Sequence, residues 1–220
     1  MFHTAEIRWF FEGCVPAAVQ QWFDVSALSR EEDPRVDSYL VLPGCVTTGV
    51  KVRQGHFEVK AQTSLPQRVA YENGLQGMRG SWVKWSSSLA GAPILQEQQG
   101  PETWVQVEKS RTMRLFSLSA EIEEKPPTEW LAGPGCFVEM SRLRLLADSE
   151  DWRDASLWWS FCLEAFGQQR RVIEFVDIMA SADFFEPIAD ILAPTASKSY
   201  PEWLGTQPHR KDANQIEGTE

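Results

Sequence analysis

The 220-residue chain has no apolar run of membrane-spanning length, and its few histidines and cysteines form no recognisable site. Its three histidines make no motif. Its four cysteines, Cys14, Cys45, Cys136 and Cys162, show neither a C-x-x-C spacing nor the Cys/His spacing of a zinc site. This pattern predicts free, buried thiols in a reducing cytoplasm. The N-terminus shows no positive segment followed by an apolar core, so no signal peptide is expected and we predict a cytoplasmic protein.

Positive charge is also in deficit, with 21 Lys and Arg against 31 Asp and Glu and a net charge of -10 at pH 7. Nucleic-acid binders are normally basic, so this balance argues against a nucleic-acid partner. It leaves open a local cationic pocket, because net charge does not fix where the charges lie. The length and the hydrophobic fraction of 43% suit one domain with a substantial core. We predict a single domain over residues 1–204 and a disordered polar tail over 205–220.

Aromatic residues are abundant, with ten Trp and twelve Phe, which favours a β-rich fold with wide, half-buried surfaces. Residue alternation and turn signals predict strands at 4–11, 36–42, 48–53, 57–63, 81–87, 103–118, 136–146 and 156–166. Helices are predicted at 16–23, 169–181 and 187–192, with a loop over 121–135. Seven or eight antiparallel strands with flanking helices predict an α+β fold built on an eight-stranded barrel, because closure removes exposed sheet edges.

Charged residues alternate along several of these strands at positions where strands usually carry apolar residues. Because side chains alternate between the two faces, each such strand has one charged face backed by an apolar one. Two arrangements allow this: the charged faces look into bulk water, or they converge inside a barrel whose apolar faces are covered by helices. The second would create a site for a polyanion. The alternating charges are Glu6 and Arg8, Lys51 and Arg53, Glu58 and Lys60, and Lys109 and Arg111.

The first strand, Thr4-Ala5-Glu6-Ile7-Arg8, resembles the E-x-E-x-K signature of the triphosphate tunnel metalloenzymes, also called the CYTH superfamily. In this register Thr4 stands in place of the first acid and Arg8 in place of the Lys. A register shifted by two would instead match Glu6 and Arg8 to the two acids and Phe10 to the Lys. We prefer the first, since it keeps one acid and one cation.

Five further short segments resemble strands of the family and extend the resemblance over roughly residues 4–167. They are residues 49–53, 57–60, 108–111, 137–141 and 161–164. The resemblance implies a tunnel in which Arg8, Lys51, Arg53, Lys60, Lys109 and Arg111 bind phosphate oxygens. It also implies Glu6, Glu139 and Glu164 as ligands of Mg²⁺ or Mn²⁺, hard cations that prefer carboxylate oxygens. Glu6 and Arg8, on the signature strand, are the implied catalytic residues.

The function that the resemblance implies is metal-dependent hydrolysis of inorganic or organic triphosphates within a cationic tunnel. Because Thr4 replaces an acid of the signature, slow or absent turnover is expected. Two alternatives stay open. One is a non-catalytic protein that binds polyphosphate or a nucleotide in the tunnel. The other is a β-rich interaction protein whose charged strand faces are solvated.

Overall fold

The computed structural model describes residues 2–88, 104–129, 131–146 and 157–207. Ten strands and four α-helices follow one another in these ranges, with single 3₁₀ turns at Gln169–Arg171, Asp183–Phe185 and Pro194–Ala196. In chain order they are β1 Phe2–Glu12, α1 Ala17–Asp24, β2 Arg30–Leu40, β3 Thr48–Arg53, β4 His56–Gln62, β5 Gln67–Ala70, β6 Gln76–Ser88, β7 Trp104–Leu118, β8 Ile122–Lys125, β9 Gly135–Leu146, β10 Leu157–Phe166, α2 Val172–Ala180, α3 Glu186–Ala189 and α4 Tyr200–Gly205.

Eight strands form a closed antiparallel barrel in the order β1-β10-β9-β7-β2-β3-β4-β6. The ring closes where β1 pairs with β6, from Phe2 opposite Lys84 to Ile7 opposite Arg79. Two short strands lie outside the ring, β5 paired with β6 and β8 paired with β7. The predicted eight-stranded barrel is therefore confirmed. No helix in the described ranges is both long and apolar enough to cross a membrane.

The main hydrophobic core lies outside the barrel, between the outer face of the sheet and the helices. Ala5, Ile7 and Trp9 alternate along β1 and are fully buried in this core, where they meet Phe175 and Met179 of α2. Because side chains alternate in a strand, the residues between them face the barrel interior. The structure therefore has the second arrangement, in which apolar faces are covered by helices and charged faces converge inside.

Helix α4 closes one end of the barrel interior with aromatic rings. Trp203 stacks on Phe10 with ring centroids 4.5 Å apart, and Tyr200 stacks on Tyr39 at 4.8 Å. The helix is only six residues long, and Ser199 caps it in a reciprocal capping box with Glu202. The cap offsets the weak intrinsic stability of so short a helix, and the packed rings hold it in place.

Several sequence predictions need correction. The predicted loop 121–135 contains β8, which adds to the edge of β7 beyond the ring, and β5 and α4 were not predicted. β2 begins at Arg30 rather than at 36, because the register shift between Glu32 and Arg35 accommodates Pro34 within the strand.

The ends of other predicted segments also differ. Gly205 ends α4, Thr206 is exposed and Gln207 is buried, so the last packed residue lies beyond the predicted boundary at 204; residues 208–220 lie outside the described ranges. All four cysteines are free thiols, but Cys14 is exposed and Cys45 partly so.

Candidate functional site

The barrel encloses a cavity of about 140 Å³, here called the charged lumen, to which all eight strands of the ring and α4 contribute side chains. Every residue that the sequence analysis assigned to a site lines this cavity, although these residues come from six different strands. The lining is Glu6, Arg8, Arg35, Tyr39, Gly49, Lys51, Arg53, Glu58, Lys60, Trp82, Lys84, Lys109, Arg111, Glu139, Glu164, Tyr200 and Pro201.

Glu139 on β9 is the counter-ion of three cations. Its Oε1 accepts hydrogen bonds from Lys109 Nζ at 2.8 Å and Arg8 Nη1 at 3.1 Å, and its Oε2 accepts one from Arg111 Nη1 at 2.9 Å. The Ser141 hydroxyl donates a further bond to Oε1 at 2.9 Å. Burial alone would raise the pKa of Glu139, but Lys109, Arg8 and Arg111 hold that pKa well below its usual range. Glu139 is therefore ionised at neutral pH.

Lys60 on β4 bridges the other two predicted metal ligands. Its Nζ lies 2.5 Å from Glu6 Oε2 and 2.8 Å from Glu164 Oε1, and these two acids are directly opposite in the pairing of β1 with β10. Burial lowers the pKa of Lys60, but the charges of Glu164 and Glu6 outweigh it and raise that pKa. Burial raises the pKa of Glu164, but the charge and the hydrogen bond of Lys60 outweigh it and lower that pKa. One ammonium group thus pairs with two adjacent carboxylates.

Towards the other side of the lumen, Glu58 on β4 is shared by three cations. Arg53 Nη2 donates to its Oε1 at 2.9 Å, and the Nζ atoms of Lys84 and Lys51 lie 3.3 and 3.4 Å from its Oε2. Lys51 also donates to Asp37 at 3.2 Å, a fully buried acid behind the lining. The three cations are 21 to 33% exposed, so this part of the lumen is open to water.

Positive charge predominates in the lumen despite the acidity of the chain as a whole. Eight of the lining residues are Lys or Arg and four are Glu. Two further acids, Glu32 and Asp37, pair with lining cations from just outside the cavity. The excess of two positive charges concentrates in a partly desolvated space, where electrostatic interactions are stronger than in water.

The predicted metal ligands do not fit a divalent ion in this arrangement. Glu6 and Glu164 are paired with Lys60, and Glu139 is paired with Arg8, Lys109 and Arg111. Within the part of the chain that the structure describes, no three His, Cys, Asp or Glu side chains are placed to hold a metal ion. A hard cation would first have to displace these ammonium and guanidinium groups.

Thr4 lies where the resemblance implies an acid, on the inward face of β1 opposite Trp82. It is 1% exposed, and its hydroxyl oxygen has no hydrogen-bond partner among the described residues. A neutral hydroxyl supplies none of the negative charge that a hard divalent cation requires. Thr4 therefore adds to the misfit of the donor set.

Sequence reasoning missed several lining residues. Arg35 and Tyr39 alternate along β2 with Asp37, the acid just behind the lining, and this charged pattern, like those on the other strands, could have found them. The Ser199 and Glu202 capping-box spacing could have located α4. Its Tyr200 had no signal as a lumen residue, because only the three-dimensional packing brings that helix to the barrel.

Comparison with known proteins adds no identification: the sequence matches no family model and no curated protein.

Proposed function

We propose that the charged lumen binds a linear polyanion of the triphosphate type. The observation that carries the proposal is the convergence of eight Lys and Arg side chains on one cavity in a chain of net charge -10. An anion with several charged oxygens can contact several of these cations at once. The clustered Lys and Arg side chains therefore favour a ligand with several negative charges over a ligand with one.

The lumen retains unused capacity for an anion. Arg53, Lys84 and Lys51 surround Glu58, and Lys51 also pairs with Asp37, so the three cations outnumber these two acids. Deeper in the barrel the Arg8 Nε–H is buried with no hydrogen-bond partner among the described residues. A polyanion would supply both the missing negative charge and an acceptor.

Binding without hydrolysis is the alternative that the geometry favours. The resemblance implies catalysis through Mg²⁺ or Mn²⁺ held by Glu6, Glu139 and Glu164, and all three carboxylates are occupied by protein cations. The third alternative, solvated charged faces, is disfavoured because Lys109 and Glu139 are only 6% and 5% exposed.

The first prediction is that inorganic triphosphate raises the melting temperature of the protein. At a ligand concentration 100 times Kd, binding adds about 2.7 kcal/mol to the free energy of unfolding, which corresponds to a shift of roughly 5–10 °C. Arg53→Ala should reduce the shift, because Arg53 lies at the open part of the lumen and has one acid partner. Thermal unfolding with and without millimolar triphosphate measures both effects.

The matched control is Arg144→Ala, which removes an arginine paired with Glu108 on the outer surface of the barrel. Its triphosphate shift should equal that of the parent. The absence of any shift in the parent, with or without Mg²⁺ or Mn²⁺, would overturn the proposed function. Phosphate release measured in the same samples separates binding from hydrolysis, and turnover at rates ordinary for an enzyme would favour the catalytic alternative.

The second prediction concerns pH and the Lys109 ammonium group. Burial is the main cause that lowers the pKa of Lys109 to about 8, opposed by Glu139 and reinforced by Arg8 and Arg111. A bound polyanion stabilises the protonated amine, so binding above pH 8 must take up a proton. The affinity should therefore fall above pH 8, by up to about tenfold per pH unit.

Calorimetric titration with triphosphate from pH 7 to pH 9.5 measures this dependence. Lys109→Met should have a lower affinity at pH 7 and a flatter profile above pH 8, which separates the lysine from the titration of the ligand itself. Identical profiles for the parent and Lys109→Met would show that Lys109 does not titrate in this range.

A further inference from the structure

Aromatic rings contact half of the positive charges in the charged lumen. Among the described residues, four of the eight lumen cations lie over a ring, with the cationic centre 5.5 or 5.6 Å from the ring centre. A cation within about 6 Å of a ring centre is attracted by the negative face of the ring. The contacts are Arg8 and Lys109 with Tyr200, Lys51 with Tyr39, and Lys60 with Trp82.

Tyr200 of α4 contacts two of these cations, and its own ring is fixed by three other rings. Tyr39 stacks on it at a centroid distance of 4.8 Å and an interplanar angle of 10°. Phe10 and Trp203 meet it nearly at right angles, with centroids 5.1 and 5.3 Å away. The ring therefore has a defined orientation relative to the two cations.

Gly49 on β3 allows α4 to lie close enough to the barrel for this contact. A methyl group at position 49 would stand 3.3 Å from Cγ of Pro201, the residue that follows Tyr200, which is tighter than ordinary van der Waals contact. Gly49, Tyr200 and Pro201 all line the charged lumen. The close packing of α4 against β3 thus makes the Tyr200 ring part of the lumen wall.

The Tyr200 ring and Glu139 attract the same two cations in different ways. Glu139 is a full negative charge, and it pairs with both Arg8 and Lys109. A ring face has only partial negative charge and no net charge, so it attracts a cation without neutralising it. A cation held by the ring keeps its charge available to a ligand, whereas a cation held by a carboxylate does so to a smaller extent.

We propose that Tyr200 is a positioning residue of the anion site, whose ring face holds Arg8 and Lys109 where a polyanion in the charged lumen can contact them. The inference rests on the proposed function, because it assumes that a polyanion binds in this lumen. Without the ring attraction the two cations would associate more fully with Glu139. A ligand would then have to draw them away first, so it would bind more weakly.

The test changes the electrostatic character of the ring and keeps its shape. Tyr200 is replaced in the full chain by phenylalanine and by its mono-, di- and trifluorinated analogues, and the Kd for inorganic triphosphate is measured calorimetrically at pH 7. Fluorine withdraws electrons from the ring face, so each added fluorine weakens the attraction for a cation. Tyr200→Phe should bind within about twofold of the parent. The trifluorinated analogue should bind about tenfold more weakly, with log Kd changing in similar steps along the series.

Phe161 provides the matched control, because it packs against Trp9 and Phe185 in the core outside the barrel. The trifluorinated analogue at position 161 should leave the Kd of the parent unchanged. Equal Kd values along the series at position 200, in a parent that binds triphosphate, would overturn the positioning role and leave the proposed function intact. The role is also overturned if Tyr200→Phe alone loses as much affinity as the trifluorinated analogue, or if the Phe161 control weakens equally. A parent that binds no triphosphate overturns the proposed function and this inference with it.

Discussion

Glu139→Gln is expected to lower the free energy of unfolding by about 3–5 kcal/mol, because it removes one partner from a buried ionic cluster. Arg8, Lys109 and Arg111 would lose their shared counter-ion and repel one another in a poorly solvated space. The melting temperature should fall by roughly 10 °C or more. Thermal or denaturant unfolding at pH 7 measures the change.

The same variant distinguishes an anion site from a purely structural ion cluster. A bound polyanion replaces the charge that Glu139 supplied, so triphosphate should stabilise Glu139→Gln more than it stabilises the parent. Glu174→Gln is the control, since Glu174 pairs with Arg171 on the surface, where both side chains are about half exposed; its melting temperature should match the parent's. Equal stability of Glu139→Gln and the parent would contradict the role of Glu139 as the counter-ion.

Lys60→Met is expected to lower the free energy of unfolding by about 3 kcal/mol, since it leaves Glu6 and Glu164 adjacent with only Arg8, 4.0 Å from Glu6, as a nearby cation. Part of the loss should disappear as the pH falls towards 5, because one of two neighbouring carboxyls then takes up a proton and the repulsion ends. The stabilisation by triphosphate should also weaken, because Lys60 contributes a positive charge to the lumen. Thermal unfolding between pH 5 and pH 8 measures both effects.

Stabilisation by divalent metal ions should distinguish Lys60→Met from the parent. The Lys60 Nζ lies between carboxylate oxygens of Glu6 and Glu164, 2.5 and 2.8 Å away, so its removal leaves a position from which a hard cation could contact both. Mn²⁺ or Ca²⁺ should therefore stabilise Lys60→Met and have a much smaller effect on the parent. Lys125→Met, which removes a lysine paired with exposed Glu123, should respond to metal as the parent does. An equal response of Lys60→Met and the parent would show that this lysine does not take the place of a metal ion.

The alternation of charged and apolar residues was sufficient to predict most of the barrel. On β1 the buried Ala5, Ile7 and Trp9 alternate with Glu6 and Arg8, and the same period-two pattern marks β3, β4 and β7. The pattern involves only residues that are close together in the chain, so it can be recognised in a single sequence. It failed for β5 and β8, which are four residues each and too short to show a period.

The partners of the charged groups could not be predicted in the same way. Arg8 and Glu139 are 131 residues apart in the chain, and Lys60 and Glu164 are 104 apart. Such contacts depend on which strands are neighbours in the closed ring and on their exact register. The family resemblance implied Glu6, Glu139 and Glu164 as metal ligands, and the sequence could not show that Lys and Arg side chains pair with all three.

By itself the sequence determined that several strands have one charged and one apolar face, since the direction of successive side chains follows from strand geometry alone. Only the tertiary structure decided which face looks inward. The pairing of β1 with β6 closes the ring, and α2 packs against Ala5, Ile7 and Trp9, so the apolar faces are buried outside the barrel and the charged faces are enclosed. The aromatic closure by α4 also depends on contacts between segments far apart in the chain, which no local pattern encodes.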